Sequence, residues 1–232
     1  MFITRVVLFL MGLGLISWIL PTLKAQWKGR KGEKLVRHKL AQEGATAMHD
    51  VIFPRGNGDK LAQVDHVVLT QSEIVILETK DWSGTFTDPG SGKNWVQRMG
   101  YKYPRTYYRH SPVEQNKGHH HVLSRIIGSP WKLTDLVVMA GDCQFPAGLP
   151  DHVILLRDLI PELRKRGLDA TRASPHLVAD WNKLKQSQKN SAKDRKRQMQ
   201  QVTRTPLQFF REYYSQAILE SGAVLVLLGL FI

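Results

Sequence analysis

Apolar residues are concentrated at the two ends of the chain and alternate with polar residues in between. From Phe2 to Leu20 only Arg5 is charged, and an apolar helix of about 20 residues is long enough to cross a bilayer. A cleaved signal peptide and a buried helix are the alternatives, although no clear small-residue cleavage site follows the run. The pattern therefore predicts a transmembrane helix over residues 1–23.

The C-terminal end combines a basic stretch with an apolar tail. Residues 183–210 are polar and basic and predict a solvated tether, with contact to lipid headgroups or nucleic-acid phosphates as the alternative. Residues 211–232 predict a hydrophobic tail, whose uncharged part from Ser221 onward covers only about 18 Å as a helix. We expect this tail to associate with the membrane as a short second span, an interfacial helix or a segment packed on the first helix.

Residues 24–182, between these ends, carry the mixed periodicity of an α/β domain. Glu33, Val36 and Leu40 recur on one face of a predicted helix that begins at Lys28 and ends before Gly44. Strands and helices then follow in an order that predicts a mixed sheet with helices packed on it. The predicted strands are Met48–Phe53, Ala62–Thr70, Glu73–Lys80, Leu136–Ala140 and His152–Leu156, and the predicted helices are His119–Ile127, Leu159–Arg166 and Pro175–Lys185.

The most informative segment is a predicted hairpin whose turn is Gln71-Ser72. Its register places Asp65 opposite Glu78, with the Cβ atoms roughly 4.5–5.5 Å apart, and puts Lys80 on the same face. An edge hairpin with solvated charges is the alternative, but both faces are apolar near the turn. Val67, Leu69, Ile74 and Ile76 continue the acidic face, and Val64, Val68, Val75 and Leu77 form the other face.

Two facing carboxylates repel each other unless a cation lies between them. Mg²⁺ is usually held by one or two carboxylates together with water and substrate phosphate. We therefore predict a site for Mg²⁺ (or Mn²⁺) at Asp65 and Glu78, with the Thr79 carbonyl as a further ligand. Lys80 would position the attacking water or stabilise charge on the phosphate.

The spacing of Asp65 and of Glu78-Thr79-Lys80 resembles the core of the PD-(D/E)xK nuclease superfamily. Over about residues 29–156 the surroundings resemble one branch of it, the NERD (nuclease-related) domain. The matching features are Gly32-Glu33, Asp81-Trp82, Gly84, Trp95, the run Ser111-Pro112-Val113-Glu114-Gln115-Asn116, and His119. The family often has Asn at the positions that Ser111 and Asp81 occupy in this chain.

The resemblance implies a restriction-endonuclease-like fold, a mixed β-sheet flanked by helices, to which an N-terminal transmembrane helix is added here. It implies that Asp65 and Glu78 are metal ligands and that Lys80 is the catalytic lysine. It also implies a supporting acid at Glu33 and a polar residue near the site at Gln115. The domain would then be a Mg²⁺-dependent phosphodiester hydrolase.

Aromatic and basic residues interleave between Lys93 and Arg109. Aromatic side chains stack on bases and cations hold phosphates, so this segment favours a flexible or single-stranded nucleic acid. A hairpin whose aromatic side chains pack on the sheet is the alternative. The residues predicted to bind nucleic acid are Lys93, Trp95, Arg98, Lys102, Arg105 and Arg109.

Composition and charge narrow the choice of partner and compartment. The chain has 33 Lys and Arg against 20 Asp and Glu, a net charge of +13, which favours nucleic acid or an anionic membrane surface. The single cysteine, Cys143, excludes an intramolecular disulfide. Basic residues directly after the first apolar run predict, by the positive-inside rule, that the domain faces the cytoplasm.

Together these features predict a membrane-anchored, metal-dependent nuclease that hydrolyses phosphodiester bonds of DNA, or of RNA. The alternative is a catalytically inactive, membrane-tethered nucleic-acid-binding or adaptor protein. Two histidines have smaller predicted roles: His119 faces the site, and His66 packs on the opposite face of its strand.

Overall fold

The computed structural model describes residues 2–56, 60–87, 89, 93–128, 132–203 and 205–231. The chain divides into two compact units, Lys31–Asp194 and a unit made of Met1–Arg30 with Arg195–Ile232. The helices are α1 (Phe2–Gln42), α2 (Pro112–Ile127), α3 (Leu159–Lys165), α4 (Pro175–Ser187), α5 (Ala192–Val202), α6 (Pro206–Tyr213) and α7 (Ser215–Phe231). The strands are β1 (Thr46–Pro54), β2 (Leu61–Leu69), β3 (Ile74–Lys80), β4 (Gly84–Phe86), β5 (Asn94–Met99), β6 (Arg105–His110), β7 (Leu133–Met139), β8 (Cys143–Gln144) and β9 (Val153–Leu155).

A five-stranded mixed sheet, in the order β1-β2-β3-β7-β9, forms the centre of the Lys31–Asp194 unit. β1, β2 and β3 pair antiparallel, whereas β3, β7 and β9 run parallel. All five strands coincide with segments that the sequence predicts. The predicted α/β class, a mixed sheet flanked by helices, is therefore confirmed.

Two apolar clusters cover the two faces of this sheet. On one face α2 and α4 pack through side chains such as Leu123 and Trp181. On the other face α3 and the last turns of α1 pack through side chains such as Val36 and Leu40. Full burial of one such side chain stabilises the fold by about 1.5–3 kcal/mol, so apolar contact holds both helical layers on the sheet.

The predicted alternation of the β2–β3 hairpin holds except at Val64. This residue was expected on the α1 side, but it joins the apolar cluster on the α2 side. The physical reason lies next to it on β1, where Asp50 has a φ of 51°. Regular pairing with β2 is interrupted at Asp50, between the pairs His49–His66 and Val51–Val64. A left-handed residue inside a strand breaks the strict alternation of side chains.

Helix α1 is a single helix where the sequence predicts two, one ending near residue 23 and one beginning at Lys28. Pro21 lies inside it, and a proline removes only one backbone hydrogen bond from a helix that continues on both sides. Within the described residues, α1 alone is long and apolar enough to cross a membrane. α6 and α7, bent by 74° at their junction, meet the same criterion only when taken together.

α1 and α7 run antiparallel and touch through glycines within the unit that contains both chain ends. A Cβ on Gly222 would lie 3.2 Å from the carbonyl oxygen of Gly12. Further along, a Cβ on Gly229 would lie 2.7 Å from the Cβ of Phe9. Any larger residue at these positions would push the two backbones apart. The region predicted as a basic tether, residues 183–210, contains the end of α4, the helix α5 and the start of α6.

Of a second sheet, in the order β6-β5-β4-β8, the sequence indicated only the β5–β6 hairpin, as the alternative for the segment from Lys93 to Arg109. It begins just after β3 ends, and it is built from strands of between two and six residues. Phe86 and Trp95 from this sheet share an apolar cluster with Met139 from the end of β7. The second sheet therefore adjoins the same end of the central sheet as Lys80.

Candidate active site

Asp65 lies at the point where the backbone ladder between β2 and β3 ends. The strands pair in the predicted register as far as His66 and Leu77. At the next position the Oδ2 of Asp65 accepts a hydrogen bond from the Thr79 N–H at 2.8 Å. A side chain thus replaces a backbone acceptor, and it holds the Asp65 carboxylate next to the end of β3.

Glu78 and Lys80 form an ion pair in a largely buried setting. The Glu78 side chain is 1% exposed and the Lys80 side chain is 18% exposed. The Lys80 Nζ lies 2.5 Å from Glu78 Oε1 and donates a second hydrogen bond to Gln115 Oε1 at 3.0 Å. The structure therefore brings Gln115 together with the β3 residues, as the sequence predicts.

Helix α2 presents Gln115 because its first turn is fixed at two points. Ser111 caps the helix by accepting a hydrogen bond from the Glu114 N–H. Asn116, which is fully buried, donates to the carbonyls of Ile76 and Leu136, both at 3.1 Å. These bonds join the helix to two neighbouring strands of the sheet, and Gln115 is the adjacent residue.

Glu33 reaches the site from α1, because Gly32 lets this helix approach the end of β3 closely. A Cβ on Gly32 would lie 2.9 Å from the Cβ of Asp81 and 3.4 Å from Cγ2 of Thr79. Glu33 is half-buried on the same helix face as the buried Val36. The predicted face of this helix is therefore confirmed.

Burial raises the pKa of each carboxyl group of the site. Burial, followed by the charge of Glu78, raises the pKa of Asp65 to about 8. Burial, followed by the charges of Asp65 and Asp50, raises the pKa of Glu33 to about 7. Burial also raises the pKa of Glu78, although Lys80 opposes this shift. The protein alone does not balance the negative charge that these acids would carry when ionised.

Lys80 is the cation at the centre of this acidic group. Burial lowers its pKa, but the charges of Glu78 and Asp65 outweigh that effect, and the net pKa is raised. Lys80 therefore remains protonated at neutral pH. The ring of Trp82 lies 5.8 Å from its Nζ.

The histidines lie where the sequence places them. His119 has its Nδ1 3.4 Å from Glu78 Oε2, and burial lowers its pKa to about 4. His66 is buried, and its Nδ1 lies 2.8 Å from Nδ1 of His49 rather than in the acidic group. Burial lowers the pKa of His66 to about 3, so both buried rings are neutral.

Asp50 is an acid near the site that sequence reasoning missed. Its Oδ1 accepts a hydrogen bond from Gln63 Nε2 at 2.7 Å, and its charge raises the pKa of both Glu33 and Asp65. Its position beside Asp65 on the neighbouring strand was available from the strand register. The left-handed backbone that turns it toward the acids was not.

The donors present suit one small divalent cation. Among the described residues, no donor hydrogen-bonds to Glu78 Oε2 although this atom is buried. Asp65 and Glu78 together offer the one or two carboxylates that Mg²⁺ usually takes. In the part of the chain that the structure describes, no group of three or more His, Cys, Asp or Glu side chains is arranged for a metal. A larger all-protein cage, typical of zinc or calcium, is therefore not what these residues form.

Of the residues predicted to bind nucleic acid, one is buried and the others are cations at the surface. Trp95 is fully buried against Trp82, Phe86 and Phe145, so its ring cannot stack on a base and its predicted binding role is wrong. Its packing also confirms, for this one residue, the alternative of an aromatic side chain on the sheet. Lys93, Arg98, Lys102 and Arg105 are exposed, and Arg109 is half-buried with its Nε donating to Gln97.

A mixed sheet that brings Asp65, Glu78, Lys80 and a helix glutamine together is the arrangement that the resemblance to PD-(D/E)xK nucleases implies. Residues 28–140, just under half of the chain, match the family described as nuclease-related domain (NERD), so this segment is similar to that family. The family resemblance inferred from the sequence is therefore confirmed.

A relative and the known structures add little beyond the family. A protein of Bacillus anthracis, named only as an uncharacterized protein, is 30% identical to this chain over 97 residues. The match covers 40% of this chain and 44% of that relative, so the chain spans less than half of the relative's length. No solved structure matches the chain at a significant level.

Proposed function

We propose that the protein is a membrane-anchored, metal-dependent nuclease that hydrolyses phosphodiester bonds, with DNA as the first substrate to test and RNA as the second. The observation that carries this proposal is the Lys80 ammonium, held between Glu78 and Gln115 beside a second acid. Further carboxylates stabilise the Lys80 ammonium but raise one another's pKa, and a purely structural ion pair needs only one acid. In phosphodiester hydrolysis these further carboxylates would bind the metal ion.

Asp65 and Glu78 would hold the cation, Mg²⁺ or Mn²⁺, with the Thr79 carbonyl as a further ligand and Glu33 as a supporting acid. When bound, the cation would polarise the phosphate and lower the pKa of water at the site. The unsatisfied Glu78 Oε2 and the raised pKa values of Asp65 and Glu33 support this assignment. A cation would offset the negative charge that these acids carry when they ionise.

Lys80 would act as a proton-bearing donor rather than as a base, because its pKa is raised. An ammonium has three N–H donors, and Glu78 and Gln115 take two of them among the described residues. The third would hold the attacking water or a phosphate oxygen, where charge develops as the bond breaks. Gln115 would fix the direction of that donor.

Exposed cations near the second sheet would hold the phosphate backbone of the substrate. Lys93, Arg98, Lys102 and Arg105 supply this charge. Contacts to phosphates carry no base information, so we expect cleavage with little sequence preference.

Helix α1 would anchor the protein, with the Lys31–Asp194 unit on the cytoplasmic side. Phe2, Ile3 and Leu10 are exposed, which suits contact with lipid, and basic residues follow the apolar part of the helix. The close contacts of Gly222 and Gly229 with α1 support a second span formed by α7. Both ends of the chain would then lie outside the cytoplasm.

Labelling of single cysteines at residues 2 and 230, in a Cys143→Ser background, tests this topology. In intact cells an impermeant thiol reagent should label both positions. Protection of residue 230 from the reagent would contradict the second span.

The direct test of the nuclease uses the full-length protein in detergent. Labelled single- and double-stranded DNA and RNA are incubated with it in Mg²⁺, in Mn²⁺ and in EDTA. We expect metal-dependent cleavage that Asp65→Asn and Lys80→Met abolish. Lys117→Met removes a surface lysine from an exposed pair with Glu114 and should leave cleavage unchanged. Tight, salt-sensitive binding without cleavage, equal in all variants, would establish the inactive binding protein instead.

A further inference from the structure

Three tyrosines are unusually exposed on the hairpin formed by β5, β6 and the turn between them. Tyr101, Tyr103 and Tyr108 are 104%, 80% and 75% exposed. Tyrosine normally buries much of its ring, since the ring has a large apolar surface. Three solvent-exposed tyrosine rings within eight residues therefore indicate a surface that a ligand covers.

The charge of this hairpin indicates what kind of ligand that is. Between Lys93 and His110 the sequence contains five Lys and Arg residues and no acid. Lys102 Nζ lies 5.8 Å from the centre of the Tyr103 ring, and Arg109 lies 5.3 Å from that of Tyr107. Cations thus accompany the aromatic rings along the whole hairpin. A polyanion that also carries flat rings is complementary to both.

The hairpin presents these rings from a firm base. β5 and β6 pair without interruption from Asn94–His110 to Met99–Arg105, and Trp95 anchors β5 in the apolar cluster below. At the tip, Gly100 has a φ of 95°, a conformation that glycine adopts without strain. This turn lets the following residues project away from the sheet.

The hairpin also connects to the site through the middle of β5 and through the end of β6. Gln97 of β5 donates to the carbonyl of Ser83 at 2.6 Å, close behind Lys80 in sequence. β6 ends at His110, and Ser111 then caps the helix that carries Gln115. A strand of nucleic acid that lies along the hairpin would therefore lead toward the acidic group.

We propose that this hairpin is a binding site for single-stranded nucleic acid, with unpaired bases stacked on Tyr101, Tyr103 and Tyr108. The inference rests on the proposed nuclease function and adds its substrate class. In a duplex the base faces are covered by their neighbours, so open rings recognise unpaired strands. Lys102 and Arg105 hold the backbone between the stacked bases.

The test measures binding apart from cleavage, with full-length protein in EDTA and labelled oligonucleotides followed by fluorescence anisotropy. Stacking contributes about 1–3 kcal/mol per base, so Tyr101→Ala with Tyr103→Ala should weaken single-strand binding by about tenfold or more. The matched variant Tyr101→Phe with Tyr103→Phe keeps the rings and should bind as the wild type does. An abasic single strand should lose the difference between the two variants.

Several results would overturn the proposal. These are equal losses on single strands and duplexes, no loss with the alanine variant, or a loss of binding to anionic vesicles in place of nucleic acid. Its failure is separable from that of the nuclease. Ring-dependent binding by a protein that cleaves nothing would leave the hairpin site standing, whereas cleavage that ignores the rings would leave only the nuclease.

Discussion

The Lys80 ammonium lies 2.5 Å from the carboxylate of Glu78. Glu78 precedes Lys80 by two residues on the same strand. The acid proposed as a metal ligand therefore already has a cationic neighbour. A divalent cation bound by Glu78 would share this carboxylate with the ammonium, and each would weaken the binding of the other.

Lys80→Met should separate metal binding from cleavage. Removing a positive charge next to the cation should tighten Mn²⁺ binding by about tenfold or more, because unit charges at such distances interact strongly in a protein. Cleavage should fall by about 10²–10³-fold, as expected when one donor to the developing charge is lost. Calorimetry of Mn²⁺ binding and single-turnover cleavage provide the two numbers. Weaker Mn²⁺ binding in this variant would show that Lys80 does not lie beside the cation.

Asp65→Asn should stabilise the metal-free protein while abolishing metal binding. The amide oxygen can still accept the Thr79 N–H, and the variant lacks the charge that burial and Glu78 disfavour. Asp65→Ala is the matched control, because it removes both the charge and the hydrogen bond, at a cost of about 1 kcal/mol for the bond. Thermal unfolding at pH 8 should rank the asparagine variant above the alanine variant. The reverse order would mean that the bond to Thr79 has no structural role.

The stability of the metal-free protein should fall as pH rises. The pKa of Asp65 is raised to about 8 and that of Glu33 to about 7, whereas unfolded carboxyls titrate near about 4. Between these values the folded state keeps protons that the unfolded state releases, so stability falls from about pH 4 toward pH 8. Melting temperatures of the wild type and of Asp65→Asn should therefore diverge as pH rises. Saturating Mg²⁺ should restore the melting temperature of the wild type at pH 8. If the melting temperatures of the two proteins changed with pH in parallel, the raised pKa of Asp65 would be refuted.

Gly32→Ala should disturb the site through the helix that carries Glu33. Its Cβ would meet the Cβ of Asp81 at 2.9 Å, and overpacking of this kind costs about 1–3 kcal/mol. Gly29→Ala is the control, since a Cβ there meets nothing within 4 Å and should stabilise the helix slightly. Both melting temperature and cleavage should drop in the first variant alone. Equal behaviour of the two would mean that the helix can shift without loss.

The sequence predicts those parts of the molecule in which one periodic pattern decides the outcome. The β2–β3 hairpin is fixed by a turn and two apolar faces. Its register, counted from the turn, therefore predicts that Asp65 and Glu78 lie near each other on neighbouring strands. The helix face of Glu33 follows in the same way from Val36 and Leu40.

The remaining parts depend on contacts between distant segments. Interleaved aromatic and basic residues do not reveal that Trp95 packs inward while Tyr101 and Tyr103 point outward. The strands of the second sheet are too short to show a period. The left-handed backbone of Asp50 is set by its surroundings, and no pattern in the sequence marks it.

Glu33 comes to the site with the helical layer on one face of the central sheet, and Gln115 comes with the layer on the other face. These two residues lie far apart in the sequence, so Gln115 is added only when about half of the Lys31–Asp194 unit has been synthesised. A partly made chain, already emerging beside nucleic acid in the cell, would lack the amide that directs Lys80. If the protein is the proposed nuclease, its active site would therefore be incomplete during synthesis and would form only when both helical layers pack on the sheet.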